Sequence, residues 1–176
     1  MKNIYHLGIL LFAFFSLQSC MVSPRPNIDF FNTKEYRSGK ANFMSVNVPV
    51  FLAKPFVKHA LREDNESEEV INLIRKVKKI KVLTVENGNK KMLTDFAKHL
   101  NQNNYEDWAT IKHDGQNVNI QALQEGETIK KLMILVNSDK ELIFVDVKGD
   151  FTPDDISNLI NEANKDEVAA NSKNQE

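Results

Sequence analysis

Residues 130–149 read KKLMILVNSDKELIFVDVKG, and the fold is decided here. Leu132 to Val136 is an unbroken apolar run, the pattern of a central strand covered on both sides. Asn137-Ser138-Asp139-Lys140 supplies turn residues, and Glu141 to Gly149 is rich in β-branched and aromatic side chains. Two strands joined by so short a polar loop pair antiparallel.

Downstream, TPDDISNLINEA (152–163) opens a helix with Thr152 as cap and Pro153 in the first turn. Asp154 and Asp155 complement the helix dipole, and Ile156, Leu159 and Ile160 would bury that helix against the sheet. Upstream, DWATIKHDGQNVNIQAL (107–123) holds Asp114-Gly115 between two alternating stretches, the strongest hairpin signal in the chain. Val118, Ile120 and Ala122 point one way and Asn117, Asn119 and Gln121 the other, which predicts a wet face.

Further back, Leu93, Phe96, Ala97 and Leu100 mark a helical stripe that stops near Asn101 to Asn104. IKVLTVENG (80–88) reads as a strand ending in an Asn87-Gly88 turn. SEEVINLIRKVKKI (67–80) reads as a helix with acids in front, bases behind, and Val70, Ile71, Ile74 and Val77 on its buried side. PVFLAKPFVKHALR (49–62) has Leu52, Phe56 and Ala60 at helical spacing, and NFMSVNVPV (42–50) alternates as a first strand. The order is strand, two helices, strand, helix, four strands, helix. This predicts a single α+β domain over 43–164, with a mostly antiparallel sheet of about five or six strands and helices packed mainly on one face. Residues 165–176 read as a disordered tail, and 20–42 as a tether whose Phe30, Phe31 and Tyr36 allow a short helix on the domain.

The amino terminus has a basic start at Lys2, an apolar stretch from Ile4 to Leu17 broken only at His6, and then Gln18-Ser19-Cys20. That is the pattern of an export signal over 1–19, too short for the ~20 apolar residues of a spanning helix. Leu17-Gln18-Ser19-Cys20 resembles the bacterial lipobox, which implies cleavage between Ser19 and Cys20 and acyl chains, palmitate among them, on Cys20. A secretory signal with an incidental cysteine is the competing reading. Run length, basic start and box coincide in favour of lipidation. Cys20 is the sole cysteine, so neither a disulfide framework nor a Cys-ligated zinc site can form.

Several stretches together resemble a known family: SVNV (45–48), the acidic run Glu63 to Glu69, IRKVKKIKVLTVEN (74–87), NNYEDWATIKHDGQNVNIQAL (103–123) and KKLMILVNSDKELIFVDVKGDFTPDDISNLI (130–160). The pattern is similar to that of the DUF4252 family over roughly residues 40 to 162, most specifically at Tyr105, Asp114-Gly115 and Gly149-Asp150. The resemblance implies a small exported protein, often a lipoprotein, of the kind found chiefly in Bacteroidetes, with a compact α+β domain. The family has no assigned activity, so it implies no catalytic residue. Met21-Val22-Ser23-Pro24 lacks acidic residues, which within that group favours the periplasmic face of the outer membrane over surface export.

The chemistry visible in the sequence is sparse. A net charge of −1 gives no basis for nucleic-acid binding. His59, His99 and His113 sit in no nucleophile motif and read as solvated surface side chains. Glu63 to Glu69 lacks the glycine and distal glutamate of a calcium loop and reads as a polar connection. Asp146, Asp150, Asp154 and Asp155 cluster around a turn, with a structural reason for the last two. Arg75-Lys76-Val77-Lys78-Lys79-Ile80-Lys81 is the one basic run; it could meet anionic lipid, but a helix end explains Arg75 to Lys79 more simply. No catalytic, cofactor or metal residues are assigned. The expected function is a lipid-anchored, non-enzymatic envelope protein, held to the membrane through Cys20, that binds an envelope protein or component. Asn117, Asn119 and Gln121, with Trp108 nearby in sequence, are its candidate contact surface. The alternative is a carrier holding an apolar ligand or lipid between the sheet and Phe51, Phe56 and Phe96. A hydrolase built on carboxylates gathered only by the fold comes third.

Overall fold

In a computed structural model the two deciding strands are β6 (Thr128–Asn137) and β7 (Glu141–Phe151), antiparallel, with Leu135 opposite Phe144. The structure describes residues 22–37, 39–50, 68–113, 116–138, 141–158 and 160–161. The other strands are β1 (Val22–Ser23), β2 (Asn42–Val48), β3 (Val77–Glu86), β4 (Tyr105–His113) and β5 (Gln116–Glu125). All pair antiparallel in one sheet of order β1-β2-β3-β7-β6-β5-β4. The helices are α1 (Lys34–Arg37), α2 (Glu68–Lys76), α3 (Lys90–Gln102) and α4, which spans 153–158 and 160–161.

The expected α+β class holds, with two corrections. The sheet has seven strands rather than five or six, because Val22 and Ser23 of the expected tether pair with Val46 and Ser45. The segment after them is sewn to the domain: the buried Ser45 hydroxyl donates to the carbonyl of Arg25 (2.7 Å), and the Asn27 amide donates to the Val46 and Val82 carbonyls. Phe31, in a 3-10 turn over Asp29–Asn32, is fully buried. Residues 22–36 are therefore part of the folded body.

The second correction concerns the helices, which stand on both faces. Leu83, Val85, Met133, Leu135, Leu142 and Phe144 point to one face and pack against Met92, Phe96 and Leu100 of α3 and against Ile28 and Phe31. Their strand neighbours Leu132, Ile134, Val145 and Val147 point to the other face, where they meet Leu73 of α2 and Ile156 and Ile160 of α4. An apolar run such as Leu132 to Val136 requires this, since alternate residues leave opposite sides of a strand and each side needs cover.

Helix α2 also ends earlier than its sequence suggests. Lys76 is its last residue and β3 begins at Val77, so that β3 pairs with nearly the whole length of β7 across a bulge between Val77 and Lys79. Among the described residues no helix is long and apolar enough to cross a membrane. The export signal, Ser19 and Cys20 lie outside the described residues, as do Phe51, Phe56, His59 and the acidic run up to Ser67.

Candidate functional site

The path of the chain creates the site. From β3, at the middle of the sheet, the chain turns through Asn87 and Gly88, runs along α3, and enters β4 at the far edge. Asn87 adopts the left-handed region (φ 56°), which asparagine tolerates better than most residues. At Gly88 a Cβ would stand 2.6 Å from a Leu142 methyl, so a larger residue there would have to push the Leu142 side chain aside. Asn89 caps α3 by accepting the Met92 N–H at 3.0 Å.

Helix α3 covers the middle of its face with apolar side chains and leaves the sheet open beside it. Leu93, Thr94 and Ala97 on the helix face Thr110 of β4, Asn117 and Asn119 of β5, and Asn137 of β6 across a groove of about 750 Å³. Asn87, Asn89 and Ser138 complete one end, with Lys90 and Glu141 as its charged groups. Asn119 accepts from the Thr110 hydroxyl at 2.9 Å, and Ser138 is occupied with Glu141, donating to its carbonyl at 3.0 Å. Asn117 and Asn137 stand directly opposite each other on β5 and β6, with no partner for either amide among the described residues. Two unpaired carboxamides on a groove floor offer four donor hydrogens and two acceptor oxygens and no charge. That chemistry suits peptide groups or other neutral polar ligands.

The expected wet face is therefore real at Asn117 and Asn119 but not at Gln121. Gln121 is 5% exposed and donates to Asp107 at 2.5 Å, while its Oε1 has no partner. Trp108 does not join the contact surface; alternation from Asp107 puts it on the opposite face, where it packs with Ala109, Ile111 and Val118, and the β4 bulge between Asp107 and Ala109 lets Ala109 lie on that same side. Phe96 is fully engaged in the core, 5.1 Å from both the Phe31 and Phe144 rings.

The acidic residues expected together are in three places. Asp155 and Thr152 cap α4 reciprocally, the Thr152 N–H donating to the carboxylate and the Asp155 N–H to the hydroxyl, and Lys76 adds a donor at 2.5 Å. Burial works to raise the Asp155 pKa, but Lys76 and these hydrogen bonds together lower it. Asp150 pairs with Lys78 and Lys130, whose hydrogen bonds hold its carboxyl down at about 2. Asp146 faces a second, smaller hollow of about 250 Å³ beneath the far end of α3, with Tyr105 and three lysines. Burial, with the negative charge of Asp146, pushes the Tyr105 hydroxyl up to about 12.

His99 is partly solvated, not fully so. It lies half-buried, its ring 4.9 Å from Phe30. Tyr36 donates to Asp95 at 2.9 Å, and burial followed by that bond raises its hydroxyl to about 12. Among the described residues no three His, Cys, Asp or Glu side chains come together as a metal site.

The fold and groove together define an α+β domain in which one antiparallel sheet lies between helices, with a neutral, hydrogen-bonding cleft on one face. The chain belongs to the family of the domain of unknown function DUF4252, whose model matches residues 36–159. No curated protein and no solved structure matches the chain. The matched region holds the groove but not Ile28 and Phe31, which belong to the same core.

Proposed function

We propose that the protein is a non-catalytic binding module of the cell envelope, held through acyl chains on Cys20 at the periplasmic face of the outer membrane. Its groove beside α3 takes a segment of a partner protein. The observation that carries this reading is the pair of unpartnered carboxamides, Asn117 and Asn137, on the floor of an open groove. Both side chains are partly exposed, so their donors and acceptors are open to a ligand that displaces water. An extended segment would exchange main-chain hydrogen bonds with the amides and rest its apolar side chains on Leu93, Ala97 and Leu135.

The test is crosslinking in cells followed by mass spectrometry, on the native protein, on Asn117→Ala/Asn137→Ala, and on Cys20→Ala. A partner captured by the native protein should be lost from the double alanine variant and redistributed by Cys20→Ala. Capture unchanged in the double variant would sink the groove assignment, and unchanged membrane fractionation of Cys20→Ala would sink the anchor.

A further inference from the structure

The basic run at 75–81 has a different meaning in the fold from the one its sequence suggests. Only Arg75 and Lys76 lie at the end of α2; Lys78, Lys79 and Lys81 lie on β3. Register then places Lys79 opposite Lys148 of β7, and Lys148 opposite Lys131 of β6. Three ammonium side chains thus stand in one row across three neighbouring strands, on the same face as α3, with Lys81 in the next row.

Like charges placed directly opposite on a sheet repel. The described ion pairs engage Lys76, Lys78, Lys91 and Lys130 and leave Lys79, Lys131 and Lys148 without a carboxylate. Asp146 is the acid nearest in register, opposite Lys81, and it forms no ion pair with a described residue; its buried Oδ1 has no hydrogen-bond donor. Lys131, Lys148 and Asp146 share the 250 Å³ hollow. Its contents are complementary to a phosphodiester carrying a hydroxyl: cations for the phosphate and an acceptor for the O–H.

Traced backward, β1 heads toward the lysine row. Strand β1 runs antiparallel to β2, so Val22, opposite Val46, is nearer the lysine row than Ser23 is. Cys20 is two residues before Val22.

We propose that Lys79, Lys131 and Lys148, with the hollow beside them, bind the phosphate of an anionic phospholipid head group and so seat this end of the sheet on the membrane. The proposal rests on the anchored reading above for its orientation, while the head-group contact is measurable without it.

The test is lysine acetylation, read residue by residue by mass spectrometry, on the full chain in neutral detergent micelles. Parallel samples receive phosphatidylglycerol, phosphatidylcholine or soluble glycerol phosphate. Phosphatidylglycerol should slow acetylation of Lys79, Lys131 and Lys148 by about fivefold or more, with Lys90 and Lys112 at the other end of the sheet unchanged. Each lysine replaced in Lys131→Gln/Lys148→Gln should weaken phosphatidylglycerol binding about fivefold, equivalent to ~1 kcal/mol per base. Lysines 90 and 112 slowed equally, or no slowing anywhere, would overturn the site. Protection by glycerol phosphate equal to that by lipid would overturn the membrane assignment in favour of a soluble phosphate ester. The same digests report the mass of the Cys20 peptide, so failure of the anchor is read separately from failure of the lysine site.

Discussion

The two faces of the sheet are made by the same strands and finished differently. On the α4 face, Ile120, Ala122, Ile129, Leu132, Val147 and Phe151 form one apolar floor, met by α4 through the buried Ile156. On the α3 face the apolar floor is confined to the middle, where Phe31, Phe96 and Phe144 pack ring against ring at about 5 Å. Beyond it lie asparagines toward one end and lysines toward the other. Both faces hold a core; on the reading proposed above, recognition is added only on the α3 face, at the two ends that its core leaves polar.

That comparison can be broken most severely at Phe31, which belongs to the α3 face but comes from the amino-terminal segment. Phe31→Ala should cost ~3–5 kcal/mol in urea denaturation, as for other fully buried aromatics. A loss below ~0.5 kcal/mol, the range of surface changes, would return residues 22–36 to a tether. Next comes Gly149, where an added Cβ would press on the Phe151 ring and stand 2.7 Å from the Lys76 carbonyl oxygen. Gly149→Ala should lower stability by ~1–3 kcal/mol, the usual cost of overpacking.

Thr152→Ala removes half of the reciprocal cap on α4 and should cost ~1 kcal/mol. A smaller effect belongs to Asp150. Its folded carboxyl titrates at about 2, below the unfolded value of 3.8, so it binds its proton more weakly when folded. Its stabilising contribution is full above the unfolded pKa and is lost as pH falls through the folded one. Melting between pH 4 and pH 2 should accordingly fall less steeply in Asp150→Asn than in the native chain. The smallest expected change in stability is at the groove: Asn117→Ala/Asn137→Ala should melt within ~0.5 kcal/mol of the native protein.

The sequence is a good guide wherever the signal is local. The antiparallel pairing of the strands flanking Asp114-Gly115 (itself outside the described residues), the alternation at 117–122 and the cap at Thr152 each depend on a few neighbouring residues, and the strand register and cap geometry agree with them. It is a poor guide wherever register or packing assigns meaning. Leu93, Phe96, Ala97 and Leu100 read as one stripe, yet Phe96 and Leu100 enter the core while Leu93 and Ala97 line the groove. Met92, also buried, carries no such signal because it sits beside the polar residues of the first turn. The lysine row as a whole is not legible in the sequence, since Lys79, Lys131 and Lys148 are far apart in the chain and only pairing of β3, β7 and β6 gathers them. The one available signal was Lys79 and Lys81 two apart, which share a face once 77–86 is a strand rather than a helix end.

The most direct test of the division between cohesion and recognition is photocrosslinking in cells from single positions. A photoreactive side chain at Asn137, on the groove floor, is compared with one at Ser157, exposed on α4 of the other face. The account predicts a discrete crosslinked partner from position 137 and none from 157. Equal adducts from both positions, or adducts from 157 alone, would contradict it.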